Sequence, residues 1–117
     1  MPKDYSRTQR VADQIQRELA VLIETEVKDP RVGRITITGV EVTRDYSHAK
    51  IYYTSLGNKE DRVAIEEGLQ HASGFLRSQL SSRIRLRVIP QLHFIYDESV
   101  ERGLYLSQLI DKATGKI

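Results

Sequence analysis

Four arginines, Arg77, Arg83, Arg85 and Arg87, fall within a stretch from Gly68 to Tyr96 that contains no carboxylate. A guanidinium carries a permanent positive charge and a fixed fork of N–H donors, the chemistry that grips phosphate. Clustered without acids to neutralise them, these groups describe a surface for a polyanion. The same stretch holds Ser73, Arg77 and Ser81 at four-residue spacing, which sets them in one polar row if the segment is helical. Gly74, beside Ser73, removes the side chain that would keep a phosphate from the backbone. The competing reading of Gly74 is close packing of a helix on a sheet. Arg83 and Arg85 also have a structural reading, because cations favour the C-terminal end of a helix. Arg87 is not accounted for that way. Lys3, Arg7 and Arg10 could extend the patch, with a solvated helix face as their alternative.

The remaining chemistry-bearing residues do not assemble in the sequence. His48, His71 and His93 are dispersed, and none sits in a metal-spaced set. His71 and Asp97 could act as a base and its orienter, but no spacing brings them together. Neither a phosphate-binding loop of the nucleotide-hydrolase kind nor a dinucleotide glycine fingerprint is present. The absence of cysteine excludes disulfides, Cys-ligated zinc and thiol catalysis. The expectation is a protein with no catalytic residue, no metal, no cofactor and no small-molecule substrate. Tyr52 and Tyr53 could stack bases, but adjacent strand residues point to opposite faces, so at most one meets a ligand.

With 117 residues and a net charge of +2, the chain fits one domain over 1–112, followed by a short frayed tail over 113–117. Its longest apolar run, Leu19 to Ile23, is too short for a signal peptide or a membrane span. A soluble, cytoplasmic protein without membrane contact is the expectation.

The elements that must position the arginines follow from apolar periodicity. Ser6 with Gln9 three residues later forms a capping-box pattern, and Val11, Ile15, Leu19, Leu22 and Ile23 mark one buried helical face. That helix should stop before Asp29-Pro30. Ile35 and Ile37 alternate as a strand, but Val40 and Val42 fall on the opposite parity. One extra residue at Gly39 restores both pairs to one face, which predicts a β-bulge there. Arg44 to Ser47 form a turn, and Ala49, Ile51 and Tyr53 alternate along the returning strand of a hairpin.

Asn58 can cap the next helix, whose apolar positions are Ile65, Leu69, Ala72, Leu76, Leu80 and Ile84. Their phase runs unbroken through Ala72-Ser73-Gly74. A kink there, with amides freed toward a ligand, is therefore favoured over a helix-turn-helix. Leu86, Val88, Leu92, Phe94 and Tyr96 share one parity, with Pro90 at the entrance of a third strand. Reached through a helical crossover, this strand should pair in parallel. Asp97 or Ser99 then caps a short last helix with Val100, Leu104, Leu109 and Ile110.

These pieces occur together in one family. From about Ser6 to Asp111 the chain resembles bacterial ribosome-binding factor A. The resemblance rests on Gln9-Arg10-Val11, Lys28-Asp29-Pro30-Arg31, Val40-Glu41-Val42, Arg44-Asp45 and His48-Ala49-Lys50-Ile51-Tyr52. It continues through Ala72-Ser73-Gly74-Phe75-Leu76-Arg77, Leu86-Arg87, and the Pro90, Leu92, Phe94, Asp97, Ser99 series.

The resemblance implies an α+β, KH-like type II fold: helix, β-hairpin, kinked helix pair, third strand and short C-terminal helix. Its three-stranded sheet should carry the helices on one face. In that family an Ala-x-Gly kink replaces the Gly-x-x-Gly loop of ordinary KH domains, and no two of the seven glycines here are three apart. Also implied are binding to precursor ribosomal RNA of the small ribosomal subunit in late, cold-associated assembly, and the absence of catalysis. The RNA-binding residues carried over are Ser73, Gly74, Arg77, Arg83, Arg85 and Arg87, with Arg7 and Arg10 beside them. A monomer is expected. The long charged tail of some members has no counterpart in this sequence, so no tail-dependent association is carried over. The alternative is a protein-interaction or homodimer module in which the arginines anchor an interface without direct RNA contact.

Overall fold

The computed structural model describes residues 6–32, 35–55 and 59–99. Five elements follow in order: α1 (Arg7–Thr25), β1 (Ile35–Val42), β2 (His48–Ser55), α2 (Lys59–Arg83) and β3 (Gln91–Tyr96). The class is α+β with a three-stranded sheet, as the sequence predicts.

α1 starts where the capping residue sets it. The Gln9 amide donates to Ser6 Oγ at 3.1 Å, satisfying one of the donors that a helix start leaves open. Only half of the capping box forms, because the Gln9 side chain turns forward to Asp13 Oδ1 at 3.3 Å. Val11, Ala12, Ile15, Leu19, Leu22 and Ile23 are buried. After the helix, Asp29 Oδ1 accepts the Arg31 amide at 2.9 Å, and its carboxylate pairs with the Arg31 guanidinium at 2.7 Å.

β1 and β2 pair antiparallel, and the register shifts between Ile37 and Gly39. Ile37 lies opposite Tyr53 and Gly39 opposite Tyr52, leaving Thr38 as the surplus residue. The predicted bulge is present, and it brings both Ile37 and Val40 into the core. Gln16 of α1 donates to the Ile37 carbonyl at 3.2 Å beside the bulge. The hairpin turn places Tyr46 at a φ of 62°, with its amide on the Thr43 carbonyl at 2.9 Å.

α2 keeps helical backbone without a break through Ala72-Ser73-Gly74. The expected helix pair is thus one element, and the expectation of amides freed at Gly74 is not met. The apolar phase explains the continuity. Ile65, Leu69, Ala72, Leu76, Leu80 and Ile84 are all buried on one stripe, and full burial of each Leu or Ile contributes about 1.5–3 kcal/mol. That outweighs the roughly 1 kcal/mol a mid-helix glycine costs.

β3 pairs in parallel with β2, giving the order β1-β2-β3. Ala49, Ile51 and Tyr53 of β2 are buried, with half-buried Leu92, Phe94 and Tyr96 packed against the same core. Both helices cover this one face. Val88 departs from the parity reading and is 45% exposed. The strand begins only at Gln91, so alternation does not extend back to Val88. Asp97 Oδ1 accepts the Ser99 amide at 2.9 Å. The predicted last helix, the tail at 113–117 and the cap at Asn58 lie outside the described residues.

Candidate nucleic-acid interface

The second half of α2 and the connection into β3 form a shallow, open groove. Gly74, Arg77 and Ser81 line its helical side, and Arg87, Val88 and Ile89 line the other. No carboxylate is among its lining residues. Arg77 donates from Nε and Nη2 to the Ile89 carbonyl at 3.1 and 2.8 Å, which holds the two sides together. Arg87 is exposed and forms no ion pair or hydrogen bond among the described residues.

The other sequence-predicted residues are dispersed around this groove. Ser73 is half-buried, and its hydroxyl donates to the Gln70 carbonyl at 2.9 Å. It lines a different hollow, with Glu66, Gln70, Leu92, His93 and Phe94. The predicted row of Ser73, Arg77 and Ser81 is thereby divided between two surfaces. Arg83 reaches α1 and pairs with Glu18 at 3.2 Å, which spends its charge within the fold. Arg85 is exposed outside the groove lining. Arg7 and Arg10 are exposed on the first turns of α1 and do not line the groove either.

The two readings of Gly74 separate here. A Cβ built on Gly74 meets nothing within 4 Å, so packing does not require a glycine at this position. The packing glycine of α2 is Gly68, where a Cβ would stand 3.0 Å from Val32 Cγ2 and 3.3 Å from Arg31 Cβ.

Sequence reasoning missed one encounter. His48 and His93 lie 45 residues apart but meet on the open sheet face, with Nδ1 of one 2.9 Å from Nε2 of the other. Their proximity follows from the β2–β3 register, which pairs His48 with Gln91 and Lys50 with His93. His71 and Asp97 do not form a dyad. Asp97 instead accepts the Thr38 hydroxyl at 2.6 Å, and its bonds to Ser99 and Thr38 hold its pKa below the usual carboxylate value. Tyr53 is core, with burial raising its phenol pKa. Tyr52 points the other way and donates to Glu41 at 2.9 Å, the bond that chiefly raises its pKa. Among the described residues no cluster of three or more His, Cys, Asp or Glu could hold a metal ion. No described helix is long and apolar enough to cross a membrane.

The sequence model of a family described as ribosome-binding factor A matches residues 7–110. The chain belongs to the ribosome-binding factor A family. A ribosome-binding factor A from Nitrosomonas europaea is 68% identical over 116 residues, covering 99% of each chain. The crystal structure of ribosome-binding factor A from Thermus thermophilus superposes with a TM-score of 0.69 at 26% identity, covering 78% of this chain and 97% of that one. A Thermus thermophilus ribosome-binding factor A homology model, fitted into a cryo-EM map of a 30S complex of that factor, matches with a TM-score of 0.62 at 28% identity. It covers 74% of this chain and 91% of the other. Ribosome-binding factor A structures have a KH-like fold, and the unbroken α2 followed by parallel β3 is this chain's version of it.

Proposed function

We propose that this ribosome-binding factor A family member binds ribosomal RNA of the immature small subunit and supports its late maturation without catalysing a reaction. The observation that carries the reading is the groove lined by Gly74, Arg77, Ser81 and Arg87 with no carboxylate. Such a surface engages a phosphate backbone through charge and shape rather than base sequence. Bare Gly74 admits a sugar-phosphate chain close to α2, and Arg85 and Arg87 supply cations that no described residue pairs. The Thermus thermophilus homologue fitted into a 30S complex supports the small subunit as the partner. We extend the reading to a cytoplasmic monomer acting in cold-associated assembly, as the family resemblance implies.

The test is Arg85→Glu combined with Arg87→Glu, assayed by cosedimentation with precursor small subunits on sucrose gradients. The double variant should keep its circular dichroism spectrum and lose association. Each phosphate contact removed from single-stranded RNA should reduce the salt slope by roughly 0.7. Undiminished association of the folded variant would overturn the assignment. Exposed Val88 in the groove favours one second reading, a protein interface. Binding that added ribosomal RNA fails to compete away would select it.

A further inference from the structure

The face of the sheet that α1 and α2 leave open carries two of the three histidines. Ala49, Ile51 and Tyr53 of β2 are buried in the core, so His48, Lys50 and Tyr52 point to the open side. His93 of β3 points there too, between Leu92 and Phe94, which pack against the core. The register sets His48 opposite Gln91 and Lys50 opposite His93, which makes the two histidines diagonal neighbours across the β2–β3 pair. Their ring centroids lie 5.0 Å apart with the planes tilted by 38°, and His48 Nδ1 is 2.9 Å from His93 Nε2. Both residues are exposed. The backbone of His48 is held in place: its amide donates to Thr43 Oγ1 at 3.1 Å, and its carbonyl accepts the Thr43 amide at 3.0 Å.

Two imidazoles at this distance share a proton, one nitrogen donating its N–H and the other offering a lone pair. The same spacing suits a metal ion. Two metal–imidazole bonds of about 2.0 to 2.1 Å that meet at a right angle leave their nitrogens about 2.9 Å apart, whereas a tetrahedral angle leaves them about 3.3 to 3.4 Å apart. Right-angle nitrogen ligation belongs to copper(II) and nickel(II), and imidazole is among the ligands that suit them. To chelate, the donating ring moves its proton to its other nitrogen, and both exposed rings turn until their lone pairs meet at one point. Each imidazole stays neutral. No third His, Cys, Asp or Glu completes a metal cluster among the described residues, so water fills the remaining positions. Lys50, opposite His93 on the same face, is the neighbouring charge that opposes a cation. Glu41 lies opposite Lys50 on β1, where it accepts the Tyr52 hydroxyl and offsets that charge.

We infer that His48 and His93 form a two-imidazole site on the open sheet face for a divalent transition metal with right-angle ligation, copper(II) or nickel(II). Once one imidazole has bound, the second binds intramolecularly, so the pair holds the ion more tightly than either ring alone. The bound ion ties the edge strand β3 to the middle strand β2. Neither histidine lines the groove at Gly74 and Arg87, so this site and the RNA reading can each fail without the other.

The test titrates the untagged full chain with copper(II) chloride, followed by calorimetry and electron paramagnetic resonance. The wild type should give an axial copper signal split by two imidazole nitrogens, and paramagnetic broadening of its NMR spectrum should centre on His48 and His93. His48→Gln and His93→Gln should each weaken binding about tenfold or more, with circular dichroism unchanged because both rings are exposed. His71→Gln should leave binding as it is. Copper should raise the melting temperature of the wild type more than that of either single variant. Four results would overturn the proposal. They are a signal split by one nitrogen, wild-type affinity in either single variant, an equal loss in His71→Gln, or broadening centred on the chain's N-terminal amine.

Discussion

Arg77 of α2 converges with Nε and Nη2 on the Ile89 carbonyl, at 3.1 and 2.8 Å. The arginine that lines the carboxylate-free groove is thus also the tie that shapes it. Arg77→Ala should cost about 1 kcal/mol in urea denaturation and speed amide exchange over residues 85–90. Arg77→Lys should rescue little, because an ammonium cannot reproduce the two-nitrogen fork. Loss of RNA binding on replacing Arg77 would therefore mix geometry with charge. Arg85 and Arg87 are the cleaner positions for testing charge.

Gly74 and Gly68 should respond to alanine in opposite directions. At Gly74 the new methyl meets open space, so Gly74→Ala should raise stability by about 1 kcal/mol through helix propensity. It should also weaken association with precursor particles, because the methyl occupies the path of a closely approaching backbone. At Gly68 the methyl presses on Val32, a buried side chain at 2% exposure, and on Arg31 Cβ. Gly68→Ala should lower the melting temperature, and parallel thermal scans of the two variants check both signs.

Arg83 should prove dispensable for binding. Its ion pair with Glu18 is partly exposed on both sides, a setting in which such pairs contribute less than about 1 kcal/mol. Arg83→Ala should leave cosedimentation near the wild-type level, in contrast to the Arg85 and Arg87 pair. A loss as large as that of the Arg85/Arg87 variant would return Arg83 to the site.

Acid should weaken the fold through three aspartates. Hydrogen bonds from the Arg31 side chain and amide hold Asp29 at about 2, and bonds from Ser47 and Thr43 hold Asp45 at about 2. Asp97 is lowered by Ser99 and Thr38. In each case the folded pKa lies below the ordinary value of 3.8, so the unfolded chain binds the proton more readily. Their contribution is present above about pH 4 and is lost as pH falls toward about 2. Urea midpoints measured from pH 5 downward should decline over that window. Asp29→Asn together with Asp45→Asn should flatten the decline.

Much of this architecture was legible in the sequence because it is carried by local period and parity. The opposite parities of the Ile35/Ile37 and Val40/Val42 pairs located the bulge, and the unbroken stripe from Ile65 to Ile84 located a single helical direction. Parity misled at Val88, since alternation holds meaning only where a ladder exists. The site was less legible. Arginines close in sequence diverge in space: Arg77 bonds a carbonyl twelve residues on, Arg83 turns to α1, and only Arg87 joins Gly74 and Arg77 in the groove. Which partner each guanidinium takes depends on the packing of α1 and the path of the connection, neither of which has a periodic signature. The meeting of His48 with His93 likewise depends on a parallel register that only the tertiary fold sets.

The surplus residue of β1 has a mechanical consequence. Because Thr38 has no opposite number in β2, its hydroxyl can reach past the middle strand to Asp97 at the end of β3. One hydrogen bond thereby buckles the two outer strands directly to each other. Peeling back either edge strains the same fastening, so the two margins of the sheet should fray as one unit rather than separately.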